Sequence, residues 1–295
     1  MQKSFFVSPL RLLAALLAVC LMAAAHAQSH SAKPAAATPP TAQSAKVSPA
    51  LQANNELLSK AAALYYSTTK AGLSGFDCAV HSDWRAIFAS VDKGTEMPAD
   101  DPRFAMLNAI KITLHARLKG GSTVEWTPPA ADPNNPIDPD SGNMLDGMHQ
   151  SVDQTLNGFL QFWTPFVNGS IVPDSANGLE ITPTPEGGYK VYAEQGGTKL
   201  TEIFDKDLVL QLFSVDQNGT KIEFSPTFKS TEKGLLVTKY LAHIAPAGTP
   251  GQVQEMHVNV EYQVVDGFQI PSSIGMEVVN SATLNFTLNG CTVTR

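Results

Sequence analysis

Few side chains in this sequence stand at a spacing that supports chemistry. The patterns GxSxG, HExxH and CxxC and a glycine-rich phosphate loop do not occur, so acyl transfer, zinc hydrolysis, dithiol exchange and nucleotide binding have no local signature. Histidines and carboxylates in alternating stretches remain. His81 and Asp83 precede Trp84 and share a face only if the strand there is regular. His115 and His243 fall within strand-like segments, and His257 lies on the wet side of its own. A general base needs a partner within hydrogen-bond reach, and none is implied, so each reads as a satisfied sheet histidine. Glu180, Glu202, Glu223, Glu255 and Glu261 would supply a paired-carboxylate site. They alternate with Thr, Lys and Gln and read instead as a solvated sheet face. Asp132, Asp138 and Asp140 sit in the loop Pro128 to Gly142, whose prolines break the spacing of a calcium loop. No catalytic residue, metal ligand set or cofactor is expected.

Cysteines carry one further reaction. Cys20 lies inside an apolar run, whereas Cys78 and Cys291 fall in the first and last expected strands. In an oxidising compartment an isolated pair most simply forms one disulfide; two buried thiols are the alternative. The bond would close a loop of about 214 residues, worth roughly 5 kcal/mol in chain entropy. It would also bring the two ends of the folded part side by side.

Compartment is read from residues 1–27. Lys3 and Arg11 precede the apolar stretch Leu12 to Ala25, and Ala25-His26-Ala27 offers small residues for cleavage. This is the layout of a secretory signal, and it places the chain in the periplasm or outside the cell. Val19 before Cys20, with apolar residues continuing past it, argues against a lipoprotein signal. Cleavage leaves 27 acidic against 18 basic side chains, a net charge near −9, which disfavours nucleic acid and anionic membrane as partners. Residues 28–50 are rich in Ala, Pro, Ser and Thr and read as a disordered tether. Residues 51–295 are expected to form one domain.

Two amphipathic helices and many strands make up that domain. Leu57, Leu58, Ala61, Leu64, Tyr65 and Thr68 recur at helical spacing between Asn55 and Lys70. From Asn143 to about Trp163, Met144, Met148, Val152, Leu156, Phe159, Leu160 and Trp163 form one stripe, capped by Asp140 or Ser141 and ended by Pro165. Arg103 to Ile110 reads as helix, while Arg85 to Val91 fits helix or strand. After Ser170 the period is two, with hairpin signals at Gly187-Gly188 and Asn218-Gly219. The expected fold is α+β: a large, strongly curved antiparallel sheet, an incomplete barrel, with helices packed on its concave face.

Flexible apolar surface is in excess. Met97, Met106, Met144, Met148, Met256 and Met276, with Phe159, Phe162, Trp163 and Phe166, suit a plain core or an irregular pocket.

Three features resemble the superfamily of periplasmic lipoprotein carriers (LolA/LolB-like). They are the helix ELLSKAAALYYSTTKAGLSGF leading into the first strand, a helix interrupting the sheet, and the hairpin from Tyr262 to Ile274 with Asp266-Gly267-Phe268 and Pro271. The resemblance implies an incomplete barrel lidded by helices that holds acyl chains, a lipoprotein or another apolar partner. The loop Pro128 to Gly142 departs from it, and no residue matches a carrier's essential arginine. On this reading Met148, Leu156, Phe159, Leu160, Trp163 and Phe166 contact an apolar small molecule or lipid. The alternatives are a non-catalytic envelope domain that binds another envelope protein, and a hydrolase with a scattered site.

Overall fold

The computed structural model describes residues 48–91, 98, 100–129, 139–249 and 251–295. The signal segment, the tether as far as residue 47, Cys20, Met97, Asp132 and Asp138 lie outside them.

Alternation of apolar and polar residues produces twelve strands in one sheet. They are β1 (Gly75–Ser82), β2 (Lys111–Arg117), β3 (Thr123–Thr127), β4 (Glu180–Pro183), β5 (Tyr189–Gln195), β6 (Thr198–Phe204), β7 (Leu210–Gln217), β8 (Thr220–Thr231), β9 (Gly234–Ala245), β10 (Gln254–Val265), β11 (Phe268–Val278) and β12 (Ala282–Thr294). Their order is β3-β2-β1-β12-β11-β10-β9-β8-β7-β6-β5-β4, and every neighbouring pair is antiparallel. Met256, Val258 and Val260 of β10, Ile274 and Met276 of β11, and Leu284, Phe286 and Leu288 of β12 are buried on one face. The residues between them face water, as period two requires.

Among the described residues four helices accompany the sheet: α1 (Pro49–Ala63), α2 (Trp84–Val91), α3 (Pro102–Asn108) and α4 (Pro139–Asn168). Helix α1 begins earlier and ends earlier than its apolar period suggests. Ser48 caps it by accepting from Leu51 N–H, and Pro49 starts the first turn, so residues 49 and 50 are helical. Tyr65 and Thr68, expected on its buried face, lie beyond it. The ambiguous segment after Asp83 is helical because the Asp83 carboxylate accepts from Ala86 N–H at 3.0 Å. Pro165 does not end α4; the helix runs on to Asn168 and stops at Gly169, whose φ is +82°. Proline so near a C-terminus sacrifices a single hydrogen bond.

Residues 64–68 form a strap across one end of the sheet. Tyr66 N–H donates to Leu235 O at 2.9 Å and Leu235 N–H to Leu64 O at 2.7 Å, a parallel bridge onto β9. Tyr65 OH donates to Leu208 O at 3.3 Å and accepts from Leu210 N–H at 2.7 Å, which fixes the β6–β7 corner. Tyr66 OH accepts from Gln269 N–H on β11, and Thr68 reaches Val167 O at the end of α4. β-prone tyrosines finding a strand end explain why the helical period is abandoned here. Gly234 lies beneath the strap at φ +116°, where a Cβ would stand 2.8 Å from Leu64 O and Tyr66 N. Gly234→Ala is therefore expected to lower stability by about 1–3 kcal/mol, read as a reduced urea midpoint.

Cys78 and Cys291 are joined as a disulfide between β1 and β12, with Cα atoms 4.2 Å apart. Cys78 faces a bulge in β12, where Gly290 and Cys291 stand between the partners of Ala79 and Asp77.

Candidate functional site

Helix α4 connects β3 to β4, the two outer edges of the sheet, and its apolar stripe meets strands far apart in the order. Trp126 of β3 stacks on His149 at 5.2 Å, and Phe76 of β1 stands edge-on to Trp163 at 6.1 Å. Phe162 lies 4.9 Å from Phe224 of β8, and Phe166 contacts Phe228 of β8 and Tyr240 of β9.

Most of the six expected ligand contacts are packed into this core. Leu156, Phe159, Leu160, Trp163 and Phe166 are buried, and Met148 is half-buried. Trp163 is held hardest. It stacks on Phe159 at 6.0 Å, and its Nε1–H donates at 2.9 Å to Tyr262 OH, which in turn donates to Val237 O.

Beside this packed stripe a gap remains between α4 and strands β9 to β11. A cavity of about 30 Å³ is lined by Thr155, Gly158, Phe159 and Phe162 of the helix, Tyr240 and Ile244 of β9, Gln254 and Met256 of β10, and Met276 and Val278 of β11. Of the six residues only Phe159 reaches it. Phe162, Met256 and Met276 come from the apolar excess noted in the sequence. Gly158 is the signal that periodicity overlooks: glycine inside a helix costs roughly 1 kcal/mol against alanine, and here it leaves the helix wall without a side chain. Such a cavity exceeds the volume one water molecule needs, roughly 10–15 Å³, and its walls are almost wholly apolar. The Tyr240 hydroxyl is buried without a hydrogen-bond partner, and burial pushes it above the ordinary tyrosine range.

Three histidines of the sheet, His115, His243 and His257, are partnered on the outer face. His115 Nδ1 lies 2.7 Å from Asp77 Oδ1 and Nε2 lies 3.4 Å from Glu125 Oε2, with Arg117 also on Asp77 at 2.9 Å. Burial pushes Asp77 up, but the hydrogen bonds from His115 and Arg117 outweigh it and hold the carboxyl below its usual value. Glu255 lies between His257 at 2.7 Å and His243 at 3.3 Å, and the His257 contact holds it low, aided by His243 against burial. Among the described residues no group of three His, Cys, Asp or Glu side chains is placed to hold a metal ion, and no helix is long and apolar enough to cross a membrane.

Glu202 contradicts its sequence reading. It faces the interior of β6, 2% exposed, with Oε2 unpaired, rather than lying on a solvated face. Its pattern with Thr201 and Ile203 does not reveal which face is buried. Burial alone pushes its carboxyl up to about 8. The folded chain therefore keeps a proton that the unfolded chain releases above pH 4.5. Glu202 leaves stability highest below that pH, and stability falls by about 1.4 kcal/mol per unit as pH rises toward 8.

The chain matches no known protein family, no curated protein and no solved structure.

Proposed function

We propose that this protein is an extracytoplasmic binding domain of the lipoprotein-carrier type. On this reading the sheet is curled, α4 crosses its concave side, and the gap between α4 and β9–β11 admits an apolar ligand such as an acyl chain. The observation that carries the proposal is the apolar cavity beside Gly158, where the helix leaves the sheet uncovered. A helix that joins the two edges and touches β1, β3, β8 and β9 suits a sheet bent around it. The disulfide agrees with an oxidising compartment.

The cavity as it stands holds about one small group, so a chain of several methylenes enters by lifting α4. Titration of the protein with a fluorescent fatty acid tests this. Saturable binding is expected, and Gly158→Leu, which fills the helix wall while favouring the helix, should weaken it at least tenfold. Equal binding by both proteins would place the ligand elsewhere, and absent binding would remove the function.

One observation favours a second reading. The stripe around Trp163 is filled and hydrogen-bonded, as befits a non-catalytic envelope domain that meets another envelope protein through its edges or loops. Recovery of one envelope protein and no lipid on the purified chain would support it.

A further inference from the structure

We propose that Glu202 and Tyr65 form a proton-operated latch, in which loss of the Glu202 proton releases the strap at residues 64–68 from the β6–β7 corner. Glu202 points inward between Val191 of β5 and Phe213 of β7, its directly paired neighbours, and both are apolar. Its Oε2 has no partner, and no ion pair reaches it among the described residues. The titratable groups nearby are Tyr65 on the strap and Asp205 at the corner; burial raises the Tyr65 hydroxyl first, and both carboxyls raise it further. As a neutral acid Glu202 can stay dry. As an anion it needs water or a donor, since a buried unpaired charge costs far more than a buried neutral group.

Sheet hydrogen bonds bind β6 on both sides along its length, so the strand itself is not where water enters. The strap is the weaker joint. Tyr65 already gives its proton to Leu208 O and accepts from Leu210 N–H. An anionic Glu202 competes for that proton or draws water past the ring, and either outcome frees the corner. Leu208 is held at φ +63°, a conformation that branched side chains resist, and it relaxes once Tyr65 lets go.

Amide hydrogen exchange of the whole chain, corrected for intrinsic rates, tests the latch. In the wild type the protection of the Leu210 amide should fall about tenfold per pH unit between about 5 and 8 and then level off. Amides pairing β11 with β12 open only with the whole fold, so they share the slope that Glu202 gives global stability but should stay far better protected than Leu210 at every pH. Glu202→Gln should abolish the slope, and Tyr65→Phe should leave Leu210 unprotected at every pH. An identical slope in wild type and Glu202→Gln overturns the proposal, as does a Leu210 amide no less protected than those of β11 and β12.

Discussion

Trp163→Ala is expected to lower the unfolding free energy by about 3–5 kcal/mol, the range for deleting a large buried aromatic. Trp163 is wholly buried, and three kinds of contact converge on it: the edge of Phe76, the face of Phe159 and the hydroxyl of Tyr262. The first joins α4 to β1 and the last joins it to β10, so truncation loosens the helix from two separated parts of the sheet. Tyr262 keeps its bond to Val237 O, which limits the cost of the lost donor. Trp163→Phe separates the terms. It retains most of the packing and removes only Nε1–H, a loss of about 1 kcal/mol for the hydrogen bond. Urea unfolding should show a lower midpoint with an unchanged slope for both variants.

Removing the cross-link is the second large effect. Cys78→Ala with Cys291→Ala should cost about 2–5 kcal/mol, because the open denatured chain gains the freedom of a loop whose ends are 213 positions apart. The native pairing of β1 with β12 rests on its own ladder, from Gly75 opposite Thr294 to Ser82 opposite Phe286, so the fold should survive the substitution. The same midpoint shift is expected when the wild type is unfolded with and without a reducing agent. An unchanged midpoint would mean that the cross-link adds nothing to that ladder.

What the sequence made legible followed from periodicity. The alternation in Met256 to Val264 and the Asn218-Gly219 turn located β10 and the β7–β8 hairpin, and the lone cysteine pair placed β1 beside β12. The meander from β4 to β12 follows from short turns, but its extension by β1, β2 and β3 on the far side of β12 is a long-range pairing that no local pattern encodes. Local rules failed where tertiary contacts won. Tyr65 and Tyr66 left the helical period to bridge Leu235, and Pro165 was absorbed within the last turn of α4. Glu202 sits in a run of polar and apolar residues, Lys199 to Ile203, whose inner face only the neighbouring strands reveal. The site was legible in type more than in place. Phe159, Phe162, Met256 and Met276 were marked by their apolar excess, while Thr155, Gly158, Tyr240 and Gln254 became visible only when α4 was laid against β9 and β10.

The proposed function places an apolar ligand between α4 and strands β9 to β11. A crystal of the protein grown with a fatty acid brominated at its tail tests it most directly, because bromine scatters anomalously and reports its own position. A bromine peak is expected within van der Waals reach of Phe159, Met256 and Met276, with α4 displaced outward. Bromine found only on the outer face of the sheet, or an interior unchanged at saturating ligand, would contradict it.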